Sequence, residues 1–313
     1  MIFEDFKRKY QKREVEELAH QVLDKPLLSV CVQTFQHHKY IKTCLDSILN
    51  QNTDFDFELL IGDDASTDGT REICEEYARL YPNKVRLFLH KRENNISING
   101  NPSGRFNYLY NLYNSRGNYI AVCEGDDYWT DPLKLQKQVD FLKANKDINL
   151  CFHKAHILKN DDLTVHKIPE LFLTSSFNYI ELIKYYNFIA TASVVYVKPN
   201  PFNIPDWFMK TPFGDLGIYK IVSGQNKFQC INDIMCVYRV HDQGAWSGLN
   251  EFNAQQNYLS FYKLIENELN PEEKKVVASK MKAIYYKMST LKFPKKPWLQ
   301  KMYNLYLRLK VLI

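Results

Sequence analysis

The sequence predicts an α/β fold, a mostly parallel sheet flanked by helices, with a helical C-terminal extension. Three observations predict it. Over residues 27–152, short apolar runs alternate with stretches of helical periodicity across short connections, the pattern of βαβ units. Two of those runs end directly in acidic, turn-rich clusters, where open parallel sheets hold their ligands. Beyond residue 254 the apolar positions keep helical spacing only, divided near Pro271 and by Pro294 and Pro297.

Each element has its own signal. Residues 2–23 set Phe3, Phe6, Tyr10, Leu18 and Val22 at mostly helical spacing, so an amphipathic helix or helix pair is expected, ended by Pro26. Strands are expected at residues 28–32, 57–61, 85–89 and 119–123, and helices at 41–49, 69–81 and 106–113. Asp131 as cap and Pro132 as first helical residue announce a further helix, followed by a strand at 150–152. Later come a strand at 189–197, a helix at 215–222 and a strand at 230–238. The expected organisation is an N-terminal segment, 1–25, then two halves of one catalytic domain, 26–155 and 156–250, then the extension, 251–313.

Composition narrows the class. The chain has 313 residues, 45% hydrophobic and 25% charged, with a net charge of +5, a globular balance. The longest nearly apolar run, 188–197, is about half of the roughly 20 residues a membrane span needs. The first ten residues lack a hydrophobic secretory core. Seven cysteines without a CxxC pair argue against a disulfide framework or zinc ribbon and for a reducing compartment. The expectation is a cytoplasmic protein, at most peripheral at the inner face of the membrane. No nucleic-acid fingerprint appears.

The chemistry is expected in the loops after the strands. The second strand ends in Asp63-Asp64-Ala65-Ser66-Thr67-Asp68-Gly69-Thr70. Asp68 reads as a helix cap, and Asp63 and Asp64 either form the turn or face a ligand's N–H or hydroxyl groups. The fourth strand ends in Glu124-Gly125-Asp126-Asp127. Three carboxylates in four residues repel one another unless a cation sits among them. Oxygen ligands on a short loop suit Mg²⁺ or Mn²⁺ shared with substrate phosphates.

With Ser29-Val30-Cys31-Val32-Gln33-Thr34-Phe35 before them, these motifs resemble, in order, three motifs of the inverting family 2 glycosyltransferases with the GT-A, Rossmann-type fold. The resemblance covers residues 26–155. It implies that Gln33 and Phe35 contact the nucleotide and Asp64 holds the base. It also implies that Arg105 lies by the nucleotide or diphosphate and that Asp126 and Asp127 hold the ribose and a divalent metal. Glu124 stands where many members carry the first Asp of a DxD motif, so the metal ligand stays open among Glu124, Asp126 and Asp127. The cofactor so implied is Mn²⁺ or Mg²⁺.

An acceptor hydroxyl must lose its proton as the diphosphate leaves, and a carboxylate can take it. Asp215, at a loop-to-helix boundary, resembles this family's base; its other reading is a helix cap. In Tyr238-Arg239-Val240-His241, Arg239 suits a phosphate and His241 resembles a C-terminal metal ligand, while Trp246 either stacks on a sugar or packs. The expected function is transfer from a nucleoside-diphosphate sugar, UDP by preference, to a hydroxyl of a glycan or lipid-linked acceptor. Two alternatives remain: a non-catalytic sugar-nucleotide-binding subunit and a sugar-1-phosphate nucleotidyltransferase. A dehydrogenase is rejected because no GxGxxG follows the first strand.

In the basic tail, Leu299, Met302, Tyr303, Tyr306 and Leu309 fall on one helical stripe, with Lys301, Arg308 and Lys310 elsewhere. Such a helix either packs on the catalytic domain or a second subunit, which its wide stripe favours, or lies on an anionic membrane. A homo-oligomer is compatible with the first reading.

Overall fold

The structure, a computed structural model, describes residues 1–224, 226–241 and 250–309. Helix α1 (Phe3–Tyr10) buries Phe6 and leads into an extended strap bearing β1 (Glu16–Glu17). The first half of the core is β2 (Leu28–Thr34), α2 (Ile41–Leu49), β3 (Phe57–Asp63), α3 (Thr70–Leu80) and β4 (Val85–Leu89), then the hairpin β5 (Ile96–Ile98) and β6 (Asn101–Ser103), α4 (Arg105–Asn114) and β7 (Tyr119–Glu124). The second half adds β8 (Tyr128–Trp129), α5 (Lys134–Ala144), β9 (Ile148–Lys159), β10 (Asp162–Val165), α6 (Leu171–Thr174), α7 (Tyr179–Tyr185), β11 (Val195–Val197), α8 (Gly214–Ser223) and β12 (Lys227–Val240). Helices α9 (Glu251–Ile265), α10 (Pro271–Lys292) and α11 (Pro297–Leu309) form the extension.

Ten strands form one sheet in the order β1-β4-β3-β2-β7-β11-β9-β12-β8, with β10 on β9, and β5 and β6 pair separately. Strands β4, β3, β2 and β7 run parallel. Both faces are covered, so β3 and β4 are buried along their whole lengths, as continuous apolar runs require. Short β11 is antiparallel to both β7 and β9, and β12 runs parallel to β9. The sheet is therefore mixed with a parallel core.

Four expectations change in detail. Only α1 of the N-terminal segment is helical. The strap beyond it pairs Glu16 and Glu17 with Leu89 and Phe88, and the backbone N–H groups of Lys12 and Arg13 donate to Asn94 Oδ1. Covering an edge strand and burying Val15 and Val22 outweighs its helical periodicity. The strand expected at 189–197 shrinks to β11 because Thr191–Ser193 coils into a 3₁₀ turn. The strand expected at 150–152 lengthens into β9. Asp131 caps a turn, its Oδ1 accepting the Leu133 N–H at 2.8 Å, and α5 starts only at Lys134.

Helix α4 fastens the carboxyl ends of the central strands. Asn107 Nδ2 donates to the carbonyl of Gly62 at 2.7 Å, and Asn111 Nδ2 to that of Val32 at 3.0 Å. A Cβ at Gly62 would stand 1.8 Å from Asn107 Oδ1, so this approach needs glycine. At the amino end, Glu58 accepts from Ser29 Oγ (2.6 Å) and from Arg86 Nη1 (3.3 Å), all three buried. All seven cysteines are buried and free, with Cys44 and Cys123 sulfurs 3.8 Å apart.

Helix α11 is apolar on two sides. Tyr303 meets Phe293 edge-on, and Leu307 packs on the core. Trp298, Met302, Leu305 and Tyr306 form a second stripe, each more than half exposed. The single stripe expected from sequence is thus divided; Lys310 lies outside the described residues, as does the side chain of Leu309. Among the described residues no helix is long and apolar enough to cross a membrane.

The amide clamp has a measurable worth. Asn107→Ala removes a buried donor from Gly62 and should cost about 1–3 kcal/mol. A urea titration should show a lower midpoint at unchanged slope, and an unmoved midpoint refutes the clamp.

Candidate active site

The loops after β2, β3 and β7 and the end of β12 meet at the carboxyl edge of the sheet. A cavity of about 1050 Å³ opens there, with Gln33 and Glu124 on one wall and Asp215 on another.

At one end the two adjacent aspartates divide. Asp63 Oδ2 accepts from Arg71 Nε at 2.7 Å and from the Ser66 N–H at 3.2 Å, which shapes the turn. Asp64 is also buried, and its Oδ2 accepts from Arg92 Nη1 (2.5 Å) and Asn95 Nδ2 (3.0 Å), while Oδ1 has no partner. Burial pushes the Asp64 carboxyl up to about 6, against the pull of Arg92 and Asn95. The Arg92 guanidinium sits 4.0 Å from the centroid of the half-exposed Phe35 ring. Phe35, Arg92 and Asp64 thus make a flat apolar face beside a carboxylate edge. Sequence reasoning missed Arg92 and Asn95; the available signal was Lys91-Arg92-Glu93-Asn94-Asn95 just past the third strand, on the same rim. Asp68 is not the cap expected: Gly69 takes that position in the left-handed region, and Asp68, one residue ahead, accepts the Thr70 N–H on Oδ1 at 3.1 Å.

At the loop after β7 the carboxylates also take separate environments. Glu124 lines the cavity, and burial, with Asp126 and Asp215 nearby, pushes it up to about 8. Asp126 Oδ2 lies 2.9 Å from His241 Nε2 and 3.9 Å from His37 Nε2. Asp127 is fully buried; its Oδ1 accepts the Arg239 backbone N–H at 2.8 Å and its Oδ2 has no partner. Arg239 Nη1 donates to the Asp126 carbonyl at 2.5 Å, and its guanidinium lies 4.3 Å from the Tyr128 ring and 5.1 Å from that of Tyr40. Arg239 therefore braces this loop.

A divalent metal is tested by its donors. Among the described residues no group of three or more His, Cys, Asp or Glu side chains encloses a metal. Asp126 and His241 nevertheless bring an oxygen and a nitrogen together at the cleft. A pair of that kind fits Mg²⁺ or Mn²⁺ that takes its other ligands from phosphates and water.

On the far wall, Asp215 stands in the first turn of α8. Its Oδ1 accepts the Leu216 N–H at 2.7 Å, and its Oδ2 accepts from Asn187 Nδ2. Burial raises its pKa. Arg105 falls on this side: its Nη1 donates to the Phe208 carbonyl (3.1 Å) and its Nη2 to that of Thr211 (3.0 Å). The sequence expectation seats Arg105 by the diphosphate; the structure spends it, buried, on the loop that carries Asp215. Gln33 keeps its place on the cleft, its Oε1 buried without a partner. Trp246 lies outside the described residues.

Asp127 and Asp126 are separable by experiment. Asp127→Ala removes the acceptor of a backbone N–H and should cost about 1–3 kcal/mol, whereas Asp127→Asn retains that acceptor. Thermal melts should show a lowered midpoint for the first only. Loss of Mn²⁺-dependent UDP binding in a stable Asp127→Asn protein would instead make this carboxylate a metal ligand.

The comparisons agree with this architecture. The sequence profile of the family described as Glycosyl transferase family 2 matches residues 29–194. An uncharacterized protein of Mycobacterium tuberculosis is 35% identical over 226 residues, which make up 70% of this chain and 60% of that protein. The chain thus spans about 60% of the length of this relative. The solved structure of S. aureus TarS 1-349 with UDP-GlcNAc superposes with a TM-score of 0.59 at 18% identity, covering 84% of this chain and 74% of that one. The mannosyltransferase PcManGT from Pyrobaculum calidifontis, in complex with GDP-Man and Mn²⁺, gives a TM-score of 0.55 at 16% identity over 96% and 78%. Both share the fold. The three strand-end motifs, the parallel core and the profile match agree: the chain belongs to glycosyl transferase family 2, with a GT-A-like fold.

Proposed function

We propose that the protein transfers a sugar from a nucleoside-diphosphate donor, UDP by preference, to a hydroxyl of a glycan or lipid-linked acceptor, with inversion at the anomeric carbon. The observation that carries this reading is one carboxyl-terminal edge bearing three complementary parts. They are the Phe35–Arg92–Asp64 recess, the Asp126–His241 pair 2.9 Å apart, and a cavity holding the anchored carboxylate Asp215. Phe35 offers a face to a base, and the free Oδ1 of Asp64 accepts a base N–H. Asp126 and His241 would hold the metal, which supplies positive charge to the departing diphosphate.

The acceptor oxygen forms the new bond to the anomeric carbon as the bond to the diphosphate oxygen breaks, and the diphosphate leaves with the electron pair. Asp215 takes the hydroxyl proton. Its raised pKa makes it a better base, and the Leu216 N–H and Asn187 hold it in orientation. Arg105 acts as a positioning residue through the carbonyls of Phe208 and Thr211. A half-buried, oriented carboxylate on the cavity wall favours an enzyme over a non-catalytic binding subunit. The relatives bound to UDP-GlcNAc, and to GDP-Man with Mn²⁺, support a nucleotide-sugar donor and a divalent metal.

A membrane-facing role for α11 is part of the same reading. Its outward stripe of Trp298, Met302, Leu305 and Tyr306 is flanked by Lys295, Lys296, Lys301 and Arg308. Each basic residue near an anionic bilayer is worth about 1 kcal/mol.

Two experiments test these readings. Asp215→Asn should lower kcat by a factor on the order of 10²–10⁴ with UDP binding intact, while Asp126→Ala should abolish Mn²⁺-dependent UDP binding. Normal turnover in Asp215→Asn removes the base assignment. In flotation assays the full chain should rise with anionic but not neutral vesicles, and Lys295→Glu/Lys296→Glu/Lys301→Glu should stay at the bottom. Equal behaviour of the two proteins eliminates the membrane contact.

A further inference from the structure

The cavity extends beyond Asp215 to a rim built from the β5–β6 hairpin and α9. On α9, Asn253, Gln256, Asn257 and Ser260 recur at i, i+3, i+4 and i+7, and all four line the cavity. This helix therefore turns a polar stripe toward the open rim of the cavity, with Asn253 and Gln256 exposed and Asn257 and Ser260 half-buried. The hairpin answers with Asn99 and Asn101, and Asn99 Nδ2 donates to Asn257 Oδ1 at 3.2 Å, joining the two sides. Tyr258 stands beside this stripe with its ring 4.7 Å from that of Phe213, adding an aromatic wall.

Two further atoms point to a ligand. Gln33 Oε1 and the Tyr219 hydroxyl oxygen are buried without a hydrogen-bond partner, and both residues line the cavity. Buried polar atoms are rarely left so, and a ligand carrying several hydroxyls would satisfy them. Charge narrows the class. The cavity is lined by Glu124 and Asp215, it has no lysine among its described lining residues, and Arg105 already donates to two carbonyls. An anionic acceptor would meet two carboxylates beside a single guanidinium, that of Arg105, which is buried and already engaged by the two carbonyls.

We propose that the hairpin and the amide stripe of α9 form the acceptor subsite, and that it takes a neutral sugar rather than an anionic acceptor. Side-chain amides donate and accept at once, as sugar hydroxyls do, and an aromatic wall suits the apolar face of a pyranose. The proposal deepens the transferase reading and rests on it for the word acceptor.

Saturation-transfer NMR on the full chain, with UDP and Mn²⁺ present, tests it. The neutral probes are the methyl glycosides of glucose, galactose, mannose and N-acetylglucosamine, and the anionic probe is glycerol 1-phosphate. At least one methyl glycoside should receive saturation and glycerol 1-phosphate none. Gln256→Ala/Asn257→Ala should weaken glycoside binding about tenfold, the loss of one or two hydrogen bonds, with UDP affinity unchanged as the check on folding. Saturation of glycerol 1-phosphate alone, of no probe, or of glycosides equally in the double variant overturns the subsite. Failure of the parent protein to bind UDP while a glycoside binds overturns the transferase reading instead.

Discussion

One buried carboxylate sets the geometry on which the cleft depends. Asp127 lies beneath the loop after β7 and accepts the backbone N–H of Arg239, near the end of β12. Chain segments more than a hundred residues apart are thereby fixed edge to edge. The register of β12 on β9 shifts three times, between Lys227 and Phe228, between Ile231 and Ile234 and between Ile234 and Cys236, before Cys236 and Val237 pair with β8. Those irregularities re-aim the end of the strand, as bulges do. Arg239 completes the junction from above through the Asp126 carbonyl and two aromatic rings. Without this junction His241 would have no reason to meet Asp126.

The cleft shows one functional group put to several uses by its surroundings. Asp63 shapes a turn through Arg71, Asp64 keeps a free oxygen beside Arg92, and Asp126 faces an imidazole. Asp127 is sealed under a strand, and Asp215 is held by a helix N–H and an amide. Glu124 and Asp215 share one cavity, and burial raises both. In these two carboxylates desolvation leads, followed by neighbouring carboxylates at Glu124 and by hydrogen bonds at Asp215.

Much of this was legible in the chain, for physical reasons. Buried parallel strands must be continuous apolar runs, so residues 28–32, 57–61 and 85–89 declared themselves, and the loops after them had to carry the polar chemistry. What stayed hidden depends on contacts between distant segments. Arg92 and Asn95 gain meaning only when β4 lies beside β3. Arg105 opens a helix whose first residue could as readily face the diphosphate as the Asp215 loop, and only the packed chain decides. The strap after α1 reads as helix because its local periodicity carries no information about the open edge of β4. The buried Glu58–Arg86 pair looks like polar punctuation within two strands until the sheet brings the residues together.

The seven buried thiols carry a consequence for handling this molecule. Cys31, Cys44, Cys74, Cys123, Cys151, Cys230 and Cys236 all lie in the interior, distributed from the first strand of the parallel core to β12. An alkylating reagent in solution meets none of them until the surrounding structure opens, so the rate at which each sulfur is modified reports the opening of its own neighbourhood. A cysteine introduced on the surface would be the one fast-reacting thiol among the described residues. Fluorophores for distance measurements across the cleft can then be attached without first removing the native sulfurs, and the slow background reaction of those seven serves as an internal clock for the integrity of the fold.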